Sequence, residues 1–339
     1  MTSERKFIIA AMLLGILVMF FFMALMAGQY NIQTAKIFGL IWSKITGGIP
    51  PEISRAQEII IWKIRLPRII LGLTTGLSLA VSGAVYQGCF RNPLVEPYIL
   101  GVSAGAACGA ALAIVYPHVF PQIQLSAFFF ALAAVSVTYS LARSRGETSP
   151  MALVLSGIIV GALFGALVGI MKYLAADAQL REITFWMMGG LYYATWDDAS
   201  RVVYCVVPVF FLLWWYSWHL NILSLGDEEA RSLGLNPPLC RFLFVIAATF
   251  IAAVCVSTCG IIAWVGLMMP HAARLLFGPD NRWVVPGAAI LGGFFLLVCD
   301  TIARILTTAE IPLGIVTSIV GAPYLLWLLR AKGREIYGQ

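Results

Sequence analysis

The residues best suited to interaction chemistry in this sequence are four charged side chains within five consecutive positions: Asp227, Glu228, Glu229 and Arg231. Only 11% of the chain is charged, so the cluster contrasts with the long apolar runs around it. Each of these charges would cost roughly 2.5–3.5 kcal/mol at the centre of a membrane helix, so the segment must lie in water. We therefore expect residues 226–236 to form an exposed helix whose chemistry is electrostatic contact.

Signals for the two ends of a helix bracket this segment. Ser224, three residues before Asp227, predicts a capped start, and Gly234 followed by Pro237 predicts the end. The other face of the predicted helix carries small and apolar residues at helical spacing: Gly226, Ala230, Leu233 and Gly234. Such a face predicts a flat contact, either with the membrane-spanning part of the chain or with a soluble partner.

Catalytic and nucleotide-binding motifs are absent from the sequence. It contains no HExxH, no GxSxG and no lysine that follows a glycine, so it cannot carry a Walker A loop. The histidines are too dispersed for one metal site, and the cysteines form no CxxC pair. We expect a non-catalytic chain that binds no metal and no cofactor, with any ATP and Mg²⁺ bound by a separate ATPase subunit.

Composition then sets the elements that must position the charged segment. With 60% hydrophobic residues and a mean hydropathy of +0.90, the chain is predicted to be an all-α polytopic membrane protein, a single transmembrane domain over residues 1–339. A length argument divides the apolar run from Phe242 to Met269 near Gly260, since one helix of that length, about 42 Å at 1.5 Å per residue, would exceed the ~30 Å core of a bilayer. The ten predicted spans are 7–28, 69–89, 98–116, 123–142, 151–171, 202–218, 242–259, 260–276, 283–305 and 311–329.

Ten spans place both termini on one side of the membrane, and the distribution of Lys and Arg favours the cytoplasmic side. The charged segment then lies in a cytoplasmic loop at about 219–239. An outer loop at about 29–66 is predicted to hold a surface helix, and residues 177–198 a second interfacial helix. A basic cluster that includes Lys63, Arg65 and Arg68 lies on the outer side, against the usual rule, and predicts an acidic partner there.

Glycine recurs every fourth residue in the fifth predicted span, at Gly157, Gly161, Gly165 and Gly169. This ladder predicts either a close helix contact or a smooth wall of a transport pathway. Carboxylates at membrane depth are few, and Asp300 and Arg304 are spaced to neutralise one another. That scarcity argues against an ion-coupled secondary carrier, which usually places carboxylates near the midplane.

Several segments together resemble the permease subunit of FecCD-type ABC importers, which transport iron siderophores, haem and vitamin B12. The resemblance covers nearly all of residues 5–333. Its most specific segments are 65–68, 87–97, 226–236, 266–274, 310–314 and 321–323. It implies a vitamin B12 importer permease-like fold, a homodimer with its pathway on the two-fold axis, two ATPase subunits inside and a solute-binding protein outside.

The resemblance also implies roles for individual residues, by their matching positions. Docking of the binding protein is assigned to Arg65, Arg68 and Arg304. The cytoplasmic gate is assigned to Asn92, Leu94, Thr148 and Ser149, in two loops that chemistry alone would treat as connectors. ATPase coupling is assigned to Gly226, Asp227, Glu228, Glu229, Ala230, Arg231, Leu233 and Gly234. Pathway positions are Gly157, Gly161 and Gly165.

The function that the sequence predicts is therefore inward transport of a metal chelate, a ferric siderophore, by alternating access in a prokaryotic cell membrane. A corrinoid, haem, molybdate or tungstate importer of the same architecture is the alternative. An ion-coupled carrier and a membrane receptor or scaffold are more remote alternatives.

Overall fold

The computed structural model describes residues 2–28, 30, 32–48, 53–144, 147–148, 150–307 and 309–337. Helices dominate it because apolar segments in lipid must satisfy their backbone hydrogen bonds internally. In chain order the elements are α1 (Ser3–Met26), α2 (Thr34–Thr46), α3 (Arg55–Glu58), a π-helix (Ile59–Arg65), α4 (Leu66–Phe90), a 3₁₀ helix (Pro97–Leu100), α5 (Val102–Val115), α6 (Ile123–Ala142), β1 (Arg143–Ser144), β2 (Glu147–Thr148), α7 (Pro150–Leu174), α8 (Asp177–Met188), α9 (Trp196–Trp215), α10 (Trp218–Leu225), α11 (Asp227–Ser232), α12 (Pro237–Cys259), α13 (Val265–Phe277), α14 (Asn281–Leu306) and α15 (Leu313–Tyr337).

The predicted all-α membrane fold is confirmed. Among the described residues, 7 helices are long and apolar enough to cross a membrane, and α5, α13 and residues 313–327 are shorter apolar helices. Together they correspond to the ten predicted spans. Gly260 ends α12 with a positive φ of 71°, so the predicted break is where the chain turns. The short strands β1 and β2 pair antiparallel between α6 and α7.

Helix α4 lies at the centre of the bundle and is buried along almost its whole length. Its backbone approaches two neighbours closely because glycine meets glycine at each crossing. A Cβ on Gly76 would clash with the carbonyl of Gly292 in α14, and a Cβ on Gly83 would clash with the carbonyl of Gly266 in α13. Small residues thus replace side-chain interdigitation with direct backbone contact, as is common between membrane helices.

Polar residues collect at the two ends of the bundle. The end where α1 finishes and α4 begins is called here the arginine end, after Arg65, Arg68 and Arg304. The opposite end, where α4 finishes and α12 begins, carries α11 and is called the α11 end. Helix α1 finishes and α15 begins at the arginine end, so the start of α1 and the end of α15 are directed toward the α11 end.

Candidate functional site

Helix α11 forms where the charge cluster predicts an exposed helix. Its start differs from the prediction, because Gly226 precedes the helix with a φ of 134° while the Ser224 hydroxyl donates to the carbonyl of Asn221. Its end is as predicted. Gly234, with a φ of 85°, allows the amide of Leu235 to donate back to the carbonyl of Ala230 at 3.0 Å. This pattern satisfies the last carbonyls of a short helix.

The small-residue face of α11 is only partly the face that packs. Ala230 is buried with 0% exposure, whereas Gly226 is covered by its own helix, since a Cβ on Gly226 would clash with the carboxylate of Glu229. Leu233 and Gly234, predicted for the same face, are exposed instead because the helix ends at Ser232 and the chain turns away. Glu228, Arg231 and Leu233 are exposed. Glu229 is also exposed, with its carboxylate folded back beside Gly226, so α11 presents a charged surface.

Asp227 behaves differently from its acidic neighbours because it faces back toward the bundle. Its Oδ1 accepts a hydrogen bond from Nη2 of Arg241 at 2.8 Å and lies 3.7 Å from Nη2 of Arg91. Arg241 is itself buried, and its Nε donates to the carbonyl of Cys89 at 3.2 Å. The first residue of α11 is thereby tied to the last turn of α4.

The first gate loop, residues 91–97, begins immediately after α4. Arg91 ends the helix in the left-handed region with a φ of 51°, and the Asn92 side-chain oxygen accepts from the amide of Leu94 at 3.0 Å. Leu94 is exposed. Nε2 of the buried His271 lies 2.9 Å from the carbonyl oxygen of Pro93, so this histidine has a partner in the loop.

A second polar contact fixes the end of α4 next to this loop. The Gln87 side-chain amide donates to the carbonyls of Gly266 and Leu267 in α13, and its Oε1 accepts from Arg274 at 2.6 Å. All these polar groups lie in the segments on which the FecCD resemblance depends. The structure therefore brings residues 87–97 and 266–274 together as one unit.

Glu96 is the acidic residue of the gate loop. Burial raises its pKa to about 7, and its Oε2 is buried with no hydrogen-bond partner in the described part of the chain. Burial disfavours the charged carboxylate, which explains the direction of the shift. Glu96 is therefore a group at the α11 end that changes charge near neutral pH.

The second gate loop is described only in part. Thr148 lies in β2, and its backbone pairs with Arg143 of β1. Ser149 lies outside the described residues. The gate assignment of Asn92, Leu94, Thr148 and Ser149 stays a prediction.

At the arginine end, Arg65 is buried rather than surface-exposed. Its Nη1 donates to the carbonyl of Leu25 at 2.8 Å, and its Nη2 donates to the carbonyl of Tyr30 at 2.6 Å. These bonds satisfy backbone carbonyls at and beyond the end of α1, which the helix itself leaves unpaired. Arg304 does the same, since its Nη2 donates to the carbonyl of Ala24 at 3.2 Å.

Arg68 is the centre of a buried ion cluster. Its guanidinium lies 2.8 Å from Asp300 and 2.8 Å from Glu310, and Asp300 also lies 3.1 Å from Arg304. The predicted neutralisation of Arg304 by Asp300 is therefore confirmed, with Arg68 as an additional partner. Two arginines pair with two carboxylates in this cluster, and the neighbouring Arg65, which binds backbone carbonyls, adds one positive charge. Docking of a binding protein by Arg65, Arg68 and Arg304 stays a prediction, and it would require these side chains to be reached from outside.

A cavity of about 930 Å³ opens beside this cluster. Its lining includes the carboxylates of Glu182, Asp198 and Glu310 and the rings of Trp186 and Tyr192. Burial raises the pKa of Tyr192 to about 12, so its hydroxyl stays protonated. The cavity can hold a ligand larger than a simple ion, with aromatic surface and acidic groups on its walls.

The glycine ladder of α7 divides into two parts. A Cβ on Gly157 would clash with the carbonyl of Ile99, so Gly157 is a packing residue. Gly161, Gly165 and Gly169 have nothing within 4 Å of the position of a Cβ. Exposed apolar side chains flank them, so this face has no partner within the described chain.

Sequence reasoning missed three charged residues of these two sites. Glu310 entered the sequence analysis only within the family segment 310–314, and its ion pair with Arg68 makes it a member of the cluster. Arg241 and Arg91 were not associated with Asp227. The position of Arg241 within a mostly buried helix was a usable signal, because a buried arginine needs an acidic or carbonyl partner.

Comparison with known proteins adds the family context. The model of the FecCD transport family matches residues 16–331. The cobalamin import system permease protein BtuC of Halobacterium salinarum is 40% identical over 87% of this chain and 80% of its own length. A protein of Helicobacter pylori named as an iron chelatin transport system permease is 41% identical over 81% of this chain and 84% of its own length.

A solved structure shares the fold over nearly the full length. It is described as an inward-facing conformation of a metal-chelate type ABC transporter, and one of its chains superposes with a TM-score of 0.84 and 33% identity. The match covers 96% of this chain and 99% of that chain.

Proposed function

The chain belongs to the FecCD transport family, a family of ABC importer permeases, and on that premise we propose that it moves a ferric siderophore into the cell. The observation that carries this proposal is the near full-length likeness to a metal-chelate type ABC transporter. The iron chelatin permease of Helicobacter pylori supports the same substrate class. Transport proceeds by alternating access between the arginine end and the α11 end.

Energy for this transport comes from a separate ATPase at the α11 end. The exposed charged surface of α11 is the contact, because Ala230 on the other face is already buried against the bundle. ATP and Mg²⁺ bind the ATPase, and this chain binds no cofactor. The solute-binding protein docks at the arginine end, above the cavity lined by Glu310 and Tyr192.

A second copy of the chain completes the pathway. The open glycines Gly161 and Gly165 and the exposed apolar side chains of α7 support this arrangement, since they form a smooth face without a partner in the described chain. Two copies related by a two-fold axis place these faces around a common pathway. The cargo then passes bare backbone on both sides.

The membrane is the cell membrane of a prokaryote, with both termini in the cytoplasm. Because the start of α1 and the end of α15 are directed toward the α11 end, this orientation also places α11 on the side where ATP is available. The arginine end then faces outward, where a binding protein delivers cargo.

Reconstitution tests the proposal directly. Liposomes containing the chain, its ATPase and its binding protein would be supplied with radiolabelled ferric hydroxamate, ferric catecholate, cobalamin, haemin or molybdate. We expect ATP-dependent uptake of a ferric chelate, and no uptake with an ATPase that binds but cannot hydrolyse ATP. Uptake of cobalamin, haemin or molybdate without uptake of a ferric chelate would show that the substrate is that compound and not a ferric siderophore. Uptake without ATP that collapses with the ion gradient would overturn the importer assignment.

A further inference from the structure

Asp227 joins α11 to Arg241 of α12 and to Arg91 at the start of the first gate loop. Its Oδ1 is held at 2.8 Å by Nη2 of Arg241 and lies 3.7 Å from Nη2 of Arg91. About a third of the Asp227 side chain stays exposed, so a protein bound to α11 can reach it. These three side chains are named here the Asp227 bridge.

The two contacts of the bridge differ in strength. Arg241 has only 1% exposure and also holds the carbonyl of Cys89, so its ion pair with Asp227 is short, partly shielded and geometrically fixed. Arg91 is 38% exposed and its pair with Asp227 is longer. Exposed pairs are weak because water and salt screen them. The contact to Arg91 can therefore break and form again while the contact to Arg241 persists.

Arg91 is also the residue at which α4 ends and the gate loop begins. The loop is seated against α13 on its other side, through the bond between His271 and the Pro93 carbonyl. Pro97 packs against Gly266, whose Cβ would lie 2.9 Å from Pro97 Cδ. The loop is thus held on one side by its packing and hydrogen bond to α13, and on the other side it makes a charged contact with α11.

From this arrangement we propose that the Asp227 bridge transmits movement of α11 to the gate loop, which makes Asp227 a positioning residue for Asn92 and Leu94. The proposal rests on the proposed function, because it assumes that an ATPase binds α11. When the ATPase moves α11, Asp227 moves with it and changes its distance to Arg91. Arg91, the first residue of the loop, then either moves with Asp227 or loses its contact with Asp227. Arg241 meanwhile keeps α11 attached to α4 through its bonds to Asp227 and to the carbonyl of Cys89.

The amides of Asn92, Leu94 and Val95 report on the loop, since each donates a hydrogen bond within residues 87–95. Hydrogen exchange at these amides would be measured by mass spectrometry in the full complex of permease and ATPase, with and without ATP. No transported substrate is needed. We expect ATP to change exchange both in α11 and in the loop of the wild-type protein.

Three variants isolate the bridge. In Asp227→Asn and in Arg91→Ala, we expect the ATP-dependent change at the loop to shrink about fivefold or more, while the change in α11 persists. Arg91→Lys keeps the charge and should retain most of the effect. Asp227→Asn keeps an oxygen that can accept from Arg241, so the hydrogen bond to α12 can remain. The double variant Asp227→Asn with Arg91→Ala should be no worse than Asp227→Asn alone, because Asp227→Asn already removes the ion pair with Arg91. Asp280→Asn is the matched control, since Asp280 pairs with Arg282 at the same end outside the loop.

The outcomes separate the two proposals. A loop response that persists in Asp227→Asn and Arg91→Ala, or that is lost equally in Asp280→Asn, would overturn the bridge. A wild-type chain that binds no ATPase would overturn the proposed function and the bridge with it. Co-purification of each variant with the ATPase shows that the complex is intact and excludes simple misfolding.

Discussion

The guanidinium of Arg68 lies 2.8 Å from the carboxylate of Asp300, a side chain with no exposed surface. Removal of one partner from a buried ion pair strands the other charge and typically costs about 3–5 kcal/mol. We expect Asp300→Asn to lower the unfolding midpoint of the purified protein substantially, measured by thermal unfolding in detergent. Glu58→Gln, which breaks the exposed pair with Lys44, should leave the midpoint nearly unchanged. Similar midpoints for the two variants would contradict the structural importance of the cluster.

The arginine end shows what sequence spacing can and cannot predict. Asp300 and Arg304 are four residues apart on one helix, so their pairing follows from helix geometry alone. Arg68 is 232 residues away from Asp300, and only the packing of α4 against α14 brings it there. Arg65 appeared to be a surface charge because its carbonyl partners at the end of α1 carry no signal in the sequence.

The same limit applies at the α11 end. The charge cluster predicts that α11 lies in water, and Gly234 predicts where it ends. Which face packs depends on contacts with α10 and α12, so the exposure of Leu233 could not be predicted. The ten spans follow from hydropathy, because lipid imposes one requirement on every spanning segment.

Docking at the arginine end is testable through its salt dependence. The excess positive charge of the cluster should attract an acidic surface, so the Kd of the binding protein should rise with ionic strength. Arg65→Gln and Arg304→Gln should weaken binding at low salt and flatten this dependence. Binding would be measured well below the unfolding midpoint of each variant, since Arg304→Gln also breaks a buried pair with Asp300 and should lower that midpoint. Lys172→Gln is a control on a cation outside the cluster. Unchanged affinity of both arginine variants at low salt would contradict the docking role.

Ala230 tests how α11 is seated. Because Ala230 is fully buried against the bundle, Ala230→Trp should overpack this contact. We expect it to lower the free energy of unfolding by about 1–3 kcal/mol and to displace α11 from the bundle. We expect a lower unfolding midpoint of the permease alone and loss of ATPase binding. Ser232→Trp adds the same bulk on the exposed side of α11 and should leave the midpoint of the permease unchanged. Equal midpoints for the two variants would show that Ala230 does not seat the helix.

Glu96 gives the gate loop a pH dependence. Burial raises the pKa of Glu96 from 4.5 in the unfolded chain to about 7 in the folded protein. Between pH 4.5 and about pH 7, the unfolded chain has therefore lost a proton that the folded protein still binds. Stability therefore falls as the pH rises through this window, and the loss is complete above about pH 7. Glu96→Gln has no such loss. We expect its unfolding midpoint to exceed that of the wild type at pH 8 and to match it at pH 4, and a difference independent of pH would contradict the shift.

The divided glycine ladder of α7 allows packing and transport to be separated in one helix. Gly157→Leu would drive a side chain into the carbonyl of Ile99, so we expect a lower unfolding midpoint and little folded protein. Gly161→Leu and Gly165→Leu enter open space, so the isolated chain should fold with an unchanged midpoint. In liposomes with the ATPase, the same two variants should reduce uptake by narrowing the face shared by two copies, while ATP hydrolysis continues. Normal uptake by both folded variants would contradict the assignment of α7 to the pathway and would indicate that its open face contacts lipid.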